Sequence, residues 1–223
     1  MLHVFALSGV SLCVSLFRLL LAPAVVSALG ADANPDALLL RVENRYNRAH
    51  TIEVLFNEQY LRPGVGQKVE SGKLALRKPG RMRWDYDKPA GKLAVSDGKY
   101  LYLYDPEQNQ AQRIKLEATD DLRAPLAFLL GKLHFQKEFK NIRERWEGAG
   151  ARIAAEPRSD NLPYSAVEFL VAPEGRIEEV KVTSFDHSVL DYTFTQEKLD
   201  PPLSDRLFQF QLPPGAQLTE SGQ

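Results

Sequence analysis

From Thr51 onward the apolar residues fall at every second position, and this change of period constrains the chain more than any other feature. Ile52, Val54, Phe56 and Tyr60 alternate with Thr51, Glu53, Asn57 and Gln59. Successive side chains of an extended strand point to opposite faces, so such a segment has one dry face and one wet face. The pattern returns as Leu74 and Leu76, as Met82, Trp84 and Tyr86 set against Arg81, Arg83 and Asp85, and as Leu93 and Val95. Turn-forming residues separate the pieces at Pro63-Gly64, Pro79-Gly80, Pro89-Ala90-Gly91 and Asp97-Gly98, which predicts antiparallel hairpins joined as a meander. Tyr100 to Tyr104 is apolar or aromatic throughout and reads as a strand covered on both faces, turned back by Asp105-Pro106 into Ala111 to Leu116. Further strands are expected at Phe139 to Trp146, Arg152 to Glu156, Ala166 to Val171, Ile177 to Phe185, Val189 to Gln196 and Leu207 to Phe210. A mostly β (α+β) chain with so many short strands argues for a sandwich or a curved, partly closed barrel, because closure is how such a sheet manages its edges.

Two segments break the alternation. Asn34-Pro35-Asp36 reads as a helix start, with Asn34 as cap, Pro35 at the first helical position and Asp36 favoured by the dipole. Leu39, Val42, Tyr46 and Ala49 then recur at helical spacing as one apolar stripe. Pro125 to Gly131 encloses Leu126, Ala127, Phe128, Leu129 and Leu130, a short apolar run expected as a buried helix or a lid over the sheet.

The first thirty residues differ from the rest. Leu2 to Phe17 carries no charged residue, Arg18 interrupts, and Leu19 to Leu29 is apolar again. Neither run reaches the ~20 residues a membrane-spanning helix needs, and Val26-Ser27-Ala28 supplies the small residues a signal peptidase reads. An export signal over 1–28 is expected, with Gly30 as the second cleavage position, followed by a single domain over 31–223. Cys13 falls inside that signal and lacks the small preceding residue of a lipid-attachment box, so the exported chain has no thiolate, no disulfide and no cysteine metal ligand. Export without disulfides points to a bacterial envelope. Charge is nearly balanced, 28 Lys plus Arg against 29 Asp plus Glu, which excludes an electrostatic footprint for nucleic acid.

Reactive constellations are missing. His50, His134 and His187 show no metal-ligand spacing, and there is no Gly-x-Ser-x-Gly elbow, phosphate-binding glycine loop or Cys–His pair. Adjacent carboxylates at Glu178-Glu179 would point to opposite faces of a strand, and those at Asp120-Asp121 suit a helix start. No catalytic residue, metal or cofactor is expected.

The most informative stretch runs from Gly72 to Pro106. It has a basic pair, Arg77-Lys78, before Pro79, then an alternating segment ending in Trp84 and Tyr86, then Val95-Ser96-Asp97-Gly98-Lys99 leading into Tyr104-Asp105-Pro106. This run of spaced features resembles the LolA family of lipoprotein carriers. Weaker agreement extends to Phe56 and Gln59, the apolar run around Phe128, and Phe208, Phe210 and Pro213-Pro214-Gly215. The resemblance implies an unclosed antiparallel β-barrel of about 11 strands covered by short helices, whose apolar hollow receives the acyl chains of lipoproteins. It further implies a monomeric shuttle in the periplasm of a diderm bacterium. Such a shuttle takes cargo from an inner-membrane ABC transporter and gives it to an outer-membrane receptor. A LolB-like receptor or a periplasmic lipid-sensing module of the same fold is the alternative, opposed by the missing lipid-attachment box at Cys13.

In the family a basic residue in the barrel holds the lid closed, an arginine next to the motif proline; the matching position here is Lys78. Strand parity puts Lys78 on the face of Leu74 and Leu76 and sends Arg77 outward. The exchange matters because a lysine offers three donors on a flexible stem where arginine offers five in a planar fork. The expected cavity residues are Leu74, Leu76, Met82, Trp84, Val95, Leu101 and Leu103 from the sheet, with Leu126, Phe128 and Leu129 from the apolar run.

Overall fold

The computed structural model of the protein describes residues 35–116, 133–148, 150–160 and 162–221. The expected signal, Cys13, Asn34, Asp120-Asp121 and the run holding Leu126, Phe128 and Leu129 lie outside the described residues.

Helix α1 (Pro35–Arg48) opens the described chain, and its stripe is broader than the expected one: Leu38, Leu39, Val42, Tyr46 and Ala49 are all buried. Twelve strands follow among the described residues. They are β1 (Thr51–Arg62), β2 (Gly66–Arg77), β3 (Arg81–Lys88), β4 (Leu93–Asp97), β5 (Tyr100–Asp105) and β6 (Gln110–Lys115). After a single turn of helix, α2 (Phe135–Glu138), come β7 (Phe139–Glu147), β8 (Gly150–Pro157), β9 (Tyr164–Val171), β10 (Ile177–Ser184), β11 (Val189–Leu199) and β12 (Gln217–Ser221).

All twelve strands belong to one sheet in the order β12-β6-β5-β4-β3-β2-β1-β11-β10-β9-β8-β7. Every pair is antiparallel except β12 against β6. Two hairpin meanders, β1 to β6 and β7 to β11, are joined where β1 pairs with β11, and β12 and β7 are left as edges that do not meet. The sheet is therefore an unclosed barrel. Its concave side and α1 share one apolar cluster, which takes in Ile52, Val54, Phe56, Leu74, Leu76 and Trp84 from one meander and Ile153, Phe169, Val180, Tyr192 and Phe194 from the other. Burying each large apolar side chain of this set contributes about 1.5–3 kcal/mol, so the shared cluster is the main term holding helix to sheet.

The chain from Pro201 to Pro214 is a strap across the convex side of β2 to β5. The expected strand over Leu207 to Phe210 is instead a 3-10 turn, Asp205–Phe208, started by Ser204, whose hydroxyl accepts from the Arg206 N–H. Arg77 pairs with Asp205 and donates to the Leu203 carbonyl; Arg81 reaches Asp205 at 3.1 Å, and Arg83 donates to the Leu207 carbonyl at 3.2 Å. Phe208 is buried beneath the strap, and Phe210 stacks on Tyr102 with ring centres 4.8 Å apart. The strap covers the convex side of the aromatic strand β5. Alternation needs a wet face, and Tyr102 has lost its own to Phe210.

Val95 departs from expectation. It pairs with Arg83 and Tyr102, so it faces the strap and not the concave side. The concave positions of β4 are Ala94 and Ser96, paired with Trp84 and Met82. The buried Val95 marks the covered convex face of the strand, a cover that alternation along β4 cannot reveal.

Candidate functional site

Register assigns the concave side row by row, because residues directly opposite in paired strands share a face. One row reads Ile52, Leu76, Met82, Ser96, Leu101 and Ile114. The next reads Val54, Leu74, Trp84, Ala94, Leu103 and Gln112. A third holds Phe194, Phe56, Gly72 and Tyr86. Leu74, Leu76, Met82, Trp84, Leu101 and Leu103 thus lie together on the concave side; Val95 does not. The third row closes into an aromatic cluster, with Phe56 edge-on to Trp84 at 4.8 Å and to Tyr86 at 5.1 Å. Gly72 makes this possible. A Cβ there would lie 2.0 Å from the Asp85 carbonyl oxygen, so only glycine lets β3 approach closely enough to turn Tyr86 onto Phe56.

Helix α1 is fastened over the first two rows at its carboxyl end. Lys78 reaches in from the concave side and its Nζ donates to the Tyr46 carbonyl, one of the last-turn acceptors left open by the helix. Burial pulls the Lys78 ammonium below the ordinary lysine range, with the charge of Asp200 working the other way. Arg77 leaves the strand on the opposite face, toward Asp205.

A second fastening has no counterpart in the sequence reading. The Tyr46 hydroxyl donates to Glu197 Oε2 at 2.6 Å and accepts from the Ile177 N–H at 2.9 Å, while Arg45 Nε donates to Glu197 Oε1 at 2.9 Å. Burial, then the charge of Glu197, pushes the Tyr46 hydroxyl far above its usual range, so it stays a donor at every working pH. Glu197 stands in the polar phase of β11 and nothing local marks it; only the fold brings it to α1. Asn47 adds a reciprocal pair with the backbone of Leu133, at 2.8 and 2.6 Å. Beneath α1 the free space among Tyr46, Ile52, Val54, Leu74, Leu76, Ile177 and Phe194 is only about 20 Å³.

Farther along, at the strand ends, lies a cleft of about 900 Å³ lined from both faces of the sheet, by Tyr86, Ala94, Leu103 and Gln112 of the concave side and Leu93, Tyr104 and Ala111 of the convex side, and rimmed by Lys68, Lys92 and the 88–89 and 104–108 turns. The arrangement is an apolar trough with a fastened helix at one end and an open cleft at the other. Its walls can hold an apolar chain. The described residues contain no group of three or more metal-ligating side chains.

Comparison with known proteins places this geometry. Residues 47–211 match the family model described as outer membrane lipoprotein carrier protein LolA. An outer-membrane lipoprotein carrier protein of Chromobacterium violaceum is 28% identical over 200 residues, covering 90% of this chain and 95% of that protein. Another from Azotobacter vinelandii is 27% identical over 209 residues, covering 92% and 99%. Among solved structures, an uncharacterized conserved protein of Thermus thermophilus matches with a TM-score of 0.50 at 12% identity, over 84% of this chain and 99% of that one, a likeness of fold alone.

Proposed function

The chain belongs to the LolA family of outer membrane lipoprotein carrier proteins, and from that premise we propose that it carries acylated lipoproteins through the periplasm, holding their acyl chains against the concave side of the open barrel. The observation that carries the reading is the continuous apolar trough from Leu76 and Leu74 through Trp84 and Leu103 into the 900 Å³ cleft. Each methylene taken out of water contributes roughly 0.8 kcal/mol, so a chain of fatty-acid length cannot cross an aqueous space without such a cover.

Loading requires room under α1, where about 20 Å³ is far too little for an acyl chain. The reading therefore assigns α1 to the moving cover. Lys78 and the Tyr46–Glu197–Arg45 cluster are its fastenings. Lys78 would take the role of the family arginine through the Tyr46 carbonyl. Donor and acceptor of cargo would be the inner-membrane ABC transporter and an outer-membrane receptor, with the carrier acting as a monomer and hydrolysing nothing.

The test is to express the chain in a diderm host, purify it from the periplasm without strong detergent, and analyse by mass spectrometry for a co-purified acylated lipoprotein. Leu103→Glu is expected to abolish co-purification while leaving the fold intact, because Leu103 is only half-buried and borders the cleft. Cargo-free wild-type protein from such cells would sink the reading.

A further inference from the structure

The concave side is not uniform along the barrel. Beyond the aromatic row, the next row reads Val180, Tyr192, Glu58 and Glu70, and the one after it brings Lys68 opposite Tyr60. A trough that is apolar at the α1 end thus becomes charged at the cleft end.

The charged end is built and not merely solvated. Glu70 is 2% exposed, lying between Lys68, at 2.5 Å, and Lys92. Burial works against its charge, but the hydrogen bonds from Lys68 and Lys92 outweigh it and hold the carboxyl below the usual glutamate range. The Lys92 ammonium also sits over the Tyr86 ring, 4.3 Å from its centre. Two of its directions are fixed in this way, while its side chain keeps 34% of its exposure and lines the cleft. Lys68 lines the same cleft. Neighbouring Glu58 is pushed above its ordinary range by burial and by the charge of Glu70.

An ammonium has three N–H donors and no acceptor. With Glu70 accepting from Lys92 and paired by charge with Lys68, the lysines present spare donors to the cleft and the three groups a net charge of about one. That is too little to hold a doubly charged phosphate against Asp105 and Glu107 on the same rim. It suits neutral groups that only accept, and the chain-bearing end of an acylated protein consists of these: ester and amide carbonyls joining apolar tails to peptide.

Resting on the carrier reading above, we propose that the Lys68–Glu70–Lys92 cluster is the subsite for the ester carbonyls of the cargo's acylglycerol linkage. The cargo's orientation follows: linkage at the cleft, tails running over Leu103 and Trp84 toward Leu74 and Leu76, and peptide leaving past the 88–92 turn.

The probe is a synthetic peptide whose amino-terminal cysteine carries a dipalmitoylglyceryl thioether, compared with the same peptide bearing two ether-linked hexadecyl chains. Both are titrated below their aggregation concentrations. Wild-type protein is expected to prefer the ester form. Lys92→Met should weaken the ester form about tenfold, the scale of one charged hydrogen bond, and leave the ether form unchanged. Lys92→Arg should restore the preference. Because Lys92→Met strips a partner from a buried carboxylate, Glu70→Gln/Lys92→Met serves as the variant with no orphaned charge and should show the same loss. Equal binding of the two probes by wild type, or an equal fall for both in the variants, overturns the subsite and leaves the carrier reading standing. Failure of wild type to bind either probe overturns both.

Discussion

Glu197 is the residue on which most of the α1 attachment converges, since its two oxygens serve Tyr46 and Arg45 at once. Its side chain is 6% exposed, so removing it strands a buried hydroxyl and a largely buried guanidinium. Glu197→Ala is expected to cost roughly 2–4 kcal/mol in urea unfolding. Lys78→Met should behave differently. The half-buried ammonium carries its own desolvation cost, so global stability should change little, whereas amide exchange over the last turn of α1 should quicken as the Tyr46 carbonyl loses its donor. Glu58 offers a pH signature. A carboxyl raised in the fold keeps its proton at pH values where the unfolded chain has lost it, so stability falls as pH rises through the window above the ordinary glutamate range. Glu58→Gln should abolish that decline and melt higher at neutral pH, with about 2–4 °C for each kcal/mol gained in a domain of this size. Glu70, held low, works the opposite way: its contribution is present at neutral pH and is lost as pH falls through its native value.

Among the elements, the β2–β3 hairpin and the strap decide the shape of the trough. The approach of β3 to β2 at Gly72 has no room for a side chain, and Gly72→Ala must push the Asp85 and Tyr86 backbone aside. The expected result is a loss of about 2 kcal/mol or more together with weakened packing of Tyr86 on Phe56, read as a change in near-UV circular dichroism. The strap shows why a pattern of apolar residues cannot by itself separate an inner from an outer face. Phe208 and Phe210 cover the convex side of β4 and β5, so Val95 and Tyr102 are sheltered there while Ala94 and Ser96 face inward. In β12, Gln-Leu-Thr-Glu-Ser has no alternation of its own, and its strand state comes from the ladder that β6 offers it.

For the whole molecule, the open barrel leaves β7 and β12 as the edges of the described sheet, where backbone groups are available to recruit another chain. β7 carries the exposed residues Arg143 and Arg145, charges of the kind that keep edges apart. Replacing both with valine is expected to move the protein to larger species on size-exclusion chromatography, with little change in its circular dichroism.

Local physics was enough to read most of the chain. Helix α1 declared itself through Pro35 and its apolar stripe, the hairpins through alternation and turn residues, and the inward and outward paths of Lys78 and Arg77 through parity, because each depends only on neighbours in sequence. The spaced features from Gly72 to Pro106 carried the family. Tertiary structure decided the rest. Which face of β4 and β5 is covered depends on a strap about a hundred residues downstream, Glu197 matters only because β11 lies beside α1, and the charged end of the trough exists only because β2 and the 88–92 turn meet around Glu70. In each case the deciding partner is remote in the chain, and no periodicity within a strand encodes what will be laid over it.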